Sequence, residues 1–367
     1  MGACPAMPSK RILIMAGGTG GHVYPALAVA DYLRQQGIRL IWLGTCLGLE
    51  SKVVPENNIE LLTINVKGLR GKGIVRWMLS PFIIFIALLQ SLRIILDCKP
   101  VAVLGMGGFV SGPGGLAAWL LRRPLYIHEQ NAIAGFTNKL LTPFARKIMQ
   151  GFPGTFSGKD VITTGNPVRA DILRLANQRK LSSTDNSEAM RLLVLGGSLG
   201  AKALNETVPQ ALRLLPEEVS LTVWHQTGKT HIDSTRADYQ QLSLKGCRVV
   251  PYIDDMAEAY TWADLVLCRA GALTVSEICV AGIASILVPY PHAVDDHQTA
   301  NARYLSDDGS AVLIPQTELT ASRLAGLLAD LYHERLQLTN MGERARAKGR
   351  PEATRDVGNI CMEAVYA

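Results

Sequence analysis

Short, mostly apolar runs alternate with helix-length amphipathic segments along most of this chain. In the first half the runs fall at 12–15, 40–43, 61–64, 101–104, 125–128, 147–150 and 161–163. They are continuous rather than alternating, as in strands covered on both faces, so the pattern predicts a parallel sheet with helices on either side. The scheme repeats at 192–195, 221–225, 248–251, 265–268, 285–288 and 311–314. Between the halves, Gly165-Asn166-Pro167-Val168-Arg169 reads as a crossover and the polar stretch 176–190 as a surface linker. At 367 residues the chain exceeds one core. The expectation is two Rossmann-like α/β domains, 1–165 and 166–349, with the amphipathic end at about 350–367 packing back on the first.

Glycine loops follow three of these strands. Gly17-Gly18-Thr19-Gly20-Gly21-His22 comes after the first run, and Gly105-Met106-Gly107-Gly108 opens a second glycine-rich stretch. Gly196-Gly197-Ser198-Leu199-Gly200 is the third. Strand, glycine turn and helix start together present backbone N–H groups to an anion. None of the loops is a dinucleotide fingerprint, because Val23 and Val110 stand where the third glycine of G-x-G-x-x-G belongs. Nor is Gly228-Lys229-Thr230 a phosphate-binding P-loop, since Val223 replaces its first glycine. Nicotinamide and ATP chemistry are therefore disfavoured, and diphosphate handling is favoured. His22 ends the first loop and adds a titratable group to it.

Charge sharpens the division. Residues 1–165 carry 17 Lys/Arg against 7 Asp/Glu, whereas 166–367 carry 20 against 24. The first half is thus suited to something anionic, a phospholipid surface or a phosphorylated substrate. Lys67, Arg70, Lys72 and Arg76, interleaved with glycines, lead into the uncharged run 77–92. That run is short for a span and holds Ser80, Pro81 and Gln90, so it reads as a partly buried helix that also lies on an anionic membrane surface. Seven scattered cysteines without a C-x-x-C pair fit a reducing cytoplasm, and residues 1–9 lack the apolar core of a signal peptide.

In the second half Ala272-Leu273-Thr274-Val275-Ser276-Glu277 follows a strand and Arg269-Ala270-Gly271. Hydroxyls and N–H groups at a helix start suit phosphate, and Glu277 suits the two hydroxyls of a ribose or, equally, a helix-dipole role. His292, His297 and Gln298 follow another strand. No cluster has metal spacing and there is no D-x-D, so neither a metal nor a cofactor is expected.

In their order, Gly17 to His22, Gly105-Met106-Gly107-Gly108, His128-Glu129-Gln130-Asn131, Gly165 to Arg169, Gly196-Gly197-Ser198 and Ala272 to Glu277 resemble the MurG family of bacterial peptidoglycan glycosyltransferases. The resemblance spans about residues 10–365. It implies a GT-B fold, two Rossmann-like domains separated by a cleft. It also implies transfer of GlcNAc, with inversion, from UDP-GlcNAc to the C4 hydroxyl of MurNAc in lipid I, giving lipid II. By the same resemblance the donor meets Arg169, Ser198, the Ile253 backbone, Ala272, Leu273, Thr274, Val275, Ser276, Glu277 and Gln298, with Thr19, Gly20, Gly21 and Asn131 on the first domain. The acceptor diphosphate falls to Gly18, Gly21, Gly107 and Gly108. Lys72, Ile74, Arg76, Trp77, Leu79 and Phe82 match a membrane patch, placing the protein peripherally on the cytoplasmic face of the inner membrane. Implied partners are UDP-GlcNAc, lipid I, anionic phospholipid and other proteins of cell-wall synthesis and division, with no nucleic acid. Leu199, Ala270 and His297 depart from the family's usual Gln, Ser and Gln.

Inversion needs a base for the acceptor hydroxyl and positive charge for the leaving UDP. His22 is the first candidate base and Glu129 the second, as base or as the group that orients His22. Each has a structural alternative, a hydrogen bond within the fold. The rival functions are a UDP-GlcNAc 2-epimerase and a non-catalytic UDP-sugar-binding protein.

Overall fold

The computed structural model describes residues 10–66, 74–175, 189–197, 200–242 and 246–366, with backbone alone over 74–80 and at 294. Ser198, Leu199 and Lys72 therefore lie outside the described residues.

The first sheet takes its strands in the order β3-β2-β1-β4-β5-β6-β7, all parallel. These are β1 (Arg11–Met15), β2 (Arg39–Gly44), β3 (Glu60–Thr63), β4 (Ala102–Gly105), β5 (Leu125–Glu129), β6 (Lys147–Gln150) and β7 (Val161–Thr163). The helices between them are α1 (Gly20–Gln35), α2 (Glu50–Glu56), α3 (Ile74–Cys98), α4 (Ser111–Leu120) and α5 (Phe136–Leu141). Successive side chains of a strand point to opposite faces. Ile12 and Ile14 of β1 pack under α1, and Leu13 and Met15 pack on the other face with Ala87 and Ile95 of α3 and Ala117 of α4. Every one of these positions must be apolar, which is why the runs show no alternation.

The second sheet is also parallel, in the order β10-β9-β8-β11-β12-β13. The chain enters it through α6 (Ala170–Leu175) and continues with β8 (Met190–Leu195), α7 (Lys202–Arg213), β9 (Leu221–Gln226), α8 (Ile232–Gln240) and β10 (Arg248–Val250). Then come α9 (Met256–Trp262), β11 (Leu265–Cys268), α10 (Ala272–Ala281), β12 (Ala284–Leu287), α11 (His297–Ser306) and β13 (Val312–Leu313). Helices α12 (Ala321–His333), α13 (Arg335–Ala347) and α14 (Ala353–Tyr366) complete the chain. Met190, read from the sequence as the end of a linker, is instead the fully buried first residue of β8. Its neighbours Glu188 and Ala189 masked it, but its side chain joins the core of Leu192, Val194 and Leu221.

Two compact units result, residues 1–169 with 352–367 and residues 170–351. Helix α14 belongs to the first. Val357, Cys361, Met362 and Val365 are buried with Ile12, Val29, Leu33 and Leu104. Gly358 lies against the Tyr32 ring of α1, and the Tyr32 hydroxyl donates to Asn359 Oδ1 (2.8 Å).

Helix α3 runs 25 residues, beyond the uncharged 77–92, because Arg93 and Asp97 sit on its solvent side and pair at 3.9 Å. It stops where Lys99 turns left-handed (φ 48°) before Pro100. By length and composition its segment Pro81–Cys98 could cross a membrane, with 22% of that window buried. Ala87, Ser91, Ile95 and Cys98 form the buried stripe, and Phe82, Phe85, Ile86 and Leu89 are exposed on another, Phe82 by 69%. Ile74, Arg76, Trp77 and Leu79 lie in the helix's opening turns.

A Cβ at position 358 would overlap the Tyr32 ring. Gly358→Val is expected to cost the first unit about 1–3 kcal/mol by overpacking, read as a lower urea midpoint; an unchanged midpoint would contradict the docking described.

Candidate active site

Strand order reverses between β1 and β4, and again between β8 and β11. Ligands of open α/β sheets bind beyond the carboxyl ends of strands at such switch points. All three glycine loops, and the Arg269-Ala270-Gly271 turn before α10, lie at these two places.

On the first unit the loops after β1 and β4 interlock. Gly107 and Gly108 take positive φ (100° and 85°), and a Cβ on Gly107 would lie 2.7 Å from His22 Nδ1. A Cβ on Gly108 would collide with the Gly17 carbonyl. Ser111, buried at the start of α4, donates from its hydroxyl to Gly107 O (2.9 Å). The ring of His22 is thereby wedged in the first turn of α1 against Gly107. Gly20 and Gly21 form the same first turn, where N–H groups have no acceptor within the helix. Thr19 and Gly21 are exposed and Gly20 half-buried.

Below this loop sits a carboxylate that sequence reasoning missed. Glu50 is fully buried and accepts from Gly18 N–H (2.9 Å), Thr45 N–H (3.0 Å) and the Thr45 hydroxyl (2.7 Å). Gly17 and Gly44 wall it, each with no room for a Cβ. Gly18, expected to hold a diphosphate, therefore spends its N–H on Glu50. The only mark of Glu50 in the sequence is that it is one of few acids in the first half, two residues after Gly48.

Glu129, the second candidate base, is likewise held within the fold. It is 2% exposed. One oxygen accepts from Asn131 N–H (3.0 Å) and Asn131 Nδ2 (3.2 Å), the other from Gly135 N–H (2.9 Å) and Asn138 Nδ2 (2.9 Å). Four donors on a buried carboxylate leave no lone pair facing a substrate, and none of the four belongs to His22. Its effect is to fix Asn131 at the end of β5. The ring that does communicate with His22 is His128, through Gln130: His22 Nδ1 is 2.9 Å from Gln130 Oε1, and Gln130 Nε2 is 3.1 Å from His128 Nδ1. Burial pushes His128 down to about 4, so it is neutral near pH 7.

On the second unit Gln226, nearly buried at the end of β9, ties two loops together. Its Nε2 donates to Gly197 O (2.9 Å) and its Oε1 accepts from Ile253 N–H (3.0 Å). The Ile253 N–H is thus spent on the Gln226 side chain. Gly271 caps α10 in extended conformation, and Ala272, Leu273, Thr274, Val275 and Ser276 form the helix start. Ala272 and Val275 are buried; Leu273, Thr274 and Ser276 are partly open. Glu277 is 4% exposed, and its Oε2 accepts from the Tyr260 hydroxyl (3.0 Å). Gln298 Oε1 accepts from Tyr290 N–H (2.9 Å), one residue into α11 after Asp295 and Asp296, both left-handed. Two such residues in succession store strain of the kind found beside ligand sites. Arg169, at the end of the first unit, is half-buried.

Known proteins share this chain's sequence and fold. Residues 12–150 match the glycosyltransferase family 28 N-terminal domain and 191–357 its C-terminal domain. A protein of Nitrosococcus oceani is 51% identical over 96% of this chain and 98% of its own length. It is named UDP-N-acetylglucosamine--N-acetylmuramyl-(pentapeptide) pyrophosphoryl-undecaprenol N-acetylglucosamine transferase, as is a relative from Alkalilimnicola ehrlichii, 51% identical over 96% of this chain and 98% of that one. The crystal structure of Acinetobacter baumannii MurG is 42% identical, covers 96% of this chain and 99% of its own, and superposes with a TM-score of 0.82. Two parallel-sheet α/β domains of this kind make the GT-B fold, and the chain belongs to glycosyltransferase family 28 and, within it, to the MurG family.

Proposed function

We propose that this glycosyltransferase moves GlcNAc from UDP-GlcNAc to the C4 hydroxyl of MurNAc in lipid I, with inversion, to give lipid II. The names of its curated relatives support the substrates. The observation that carries the chemistry is His22, wedged against Gly107 beside first-turn N–H groups at a switch point.

His22 is the base: it takes the proton of the acceptor hydroxyl as that oxygen attacks the anomeric carbon and the bond to UDP breaks. Histidine suits the task because a neutral imidazole offers one nitrogen lone pair to a proton while its other nitrogen donates a hydrogen bond. The backbone of Gly21, Gly107 and Gly108 reads the acceptor diphosphate. The second unit holds the donor. The Ile253 carbonyl reads uracil, Glu277 the ribose, residues 272–276 and Ser198 the phosphates, and Gln298 the sugar. Thr19, Gly20 and Asn131 add contacts from the first unit. Negative charge growing on UDP is met by the N-terminal end of α10 and by Arg169.

The acceptor's long lipid fixes where the enzyme works. The exposed stripe of α3, with the basic residues around its start including Lys72, lies on the anionic cytoplasmic face of the inner membrane without spanning it. Each buried Phe or Leu side chain contributes about 1.5–3 kcal/mol to such an association.

Radiolabelled UDP-GlcNAc incubated with the protein and lipid I should label the lipid fraction. His22→Ala should lower that rate by about 10²–10⁴-fold while UDP-GlcNAc still binds. Tight donor binding by the unaltered protein without lipid labelling would overturn the proposed transfer. Separately, Phe82→Glu combined with Phe85→Glu should cut co-sedimentation with anionic vesicles by about tenfold or more without lowering Tm, because both side chains are exposed. Undiminished binding to vesicles would remove α3 from the membrane contact.

A further inference from the structure

We infer that Gln130 is a positioning residue that fixes the tautomer of His22, placing the proton on Nδ1 and the reactive lone pair on Nε2. This deepens the reading of His22 as the base and rests on it.

The argument runs outward from the buried end of the chain of groups. His128 Nε2 lies 2.9 Å from the carbonyl oxygen of Gly165. A carbonyl only accepts, so His128 carries its proton on Nε2. Its ring is fully buried and neutral, so Nδ1 holds a lone pair. Gln130 Nε2 faces that lone pair at 3.1 Å and the His128 carbonyl oxygen at 3.3 Å. Two acceptors at one end of the Gln130 amide determine which end is nitrogen. The reversed amide would set its oxygen against both of them, unpaired and 1% exposed, a costly arrangement. The Gln130 backbone is held as well, its carbonyl accepting from Asn166 Nδ2 (3.0 Å). Gln130 Oε1 is therefore the end that reaches His22 Nδ1, at 2.9 Å. An amide oxygen only accepts, so His22 Nδ1 carries the hydrogen and Nε2 is left as the base.

The arrangement also serves the protonated state. When Nε2 takes the acceptor's proton, the Nδ1–H bond to Gln130 becomes charge-assisted and strengthens, so the same contact that selects the tautomer stabilises the imidazolium. Gln130 and His128 transfer no proton in this scheme. They differ from a carboxylate partner in adding no net charge beside a site that must admit a diphosphate.

The direct test is nitrogen NMR of the intact protein labelled with 15N-histidine, which distinguishes protonated from unprotonated ring nitrogens, with His22→Gln assigning the signal. The expected spectrum shows His22 at high pH as the Nδ1–H tautomer. A spectrum showing Nε2–H would overturn the inference whether or not the protein transfers sugar. That keeps it separate from the base reading, which stands or falls on the transfer rate of His22→Ala. Gln130→Met, close in shape but unable to accept from Nδ1, should show a mixture of tautomers. Its kcat should fall about tenfold or more while KM for UDP-GlcNAc changes little, since the rate needs the correct ring state and donor binding does not. An unaltered His22 spectrum in Gln130→Met, or an unaltered kcat, would overturn it.

Discussion

Gly108 stands so close to the carbonyl of Gly17 that no side chain fits between the loops that follow β1 and β4. That approach is possible because the two strands are neighbours in register, Met15 beside Gly105. Their chains then leave in opposite directions, one into α1 and the other into α4. The space between the departing chains is where a parallel sheet receives a ligand. Here it is filled from one side by the His22 ring resting on Gly107. The position of the His22 ring, the N–H groups of the first turn of α1 and the hydroxyl of Ser111 all follow from this contact.

Buried polar groups hold the loops in that approach, and each has a single task. Glu50 takes the N–H of Gly18, and Glu129 takes four donors around Asn131. A buried carboxylate is tolerable only when its lone pairs are filled, so both are spent on structure. Neutral groups do the corresponding work on the second unit. Gln226 links Gly197 to Ile253, and His225 donates to Asn205 Oδ1 and accepts from Tyr239 at 3.0 Å each. Burial lowers the His225 pKa to about 3 and keeps that ring neutral.

Much of this was readable in the sequence, for physical reasons. Strands covered on both faces must be apolar throughout, so β1, β4, β8 and β11 announce themselves. Glycine loops after such strands mark where backbone must approach backbone. His22 was legible as a candidate because it ends a glycine loop at a strand's carboxyl edge, although its bond to Gln130 was not. The roles of Glu50, Glu129 and Gln226 were not legible. What separates a carboxylate that reacts from one that braces a loop is the count of donors around it. Gly18 reaches Glu50 across 32 residues, and although Asn131 and Asn138 lie within nine residues of Glu129, spacing alone does not say that the loop between them turns back onto its carboxylate. Helix α14 shows the same limit: its pattern declares a buried face, while the Tyr32 ring that meets Gly358 lies more than 300 residues earlier.

The central claim is that the close approach of the two loops holds the base for transfer. Gly108→Ala adds one methyl group at that point and nothing elsewhere. Measured side by side, its rate of GlcNAc transfer to lipid I should fall by about a hundredfold or more, since small displacements of a reacting group cost that much, with UDP-GlcNAc binding largely kept. Transfer by Gly108→Ala at the rate of the unaltered protein would contradict the account.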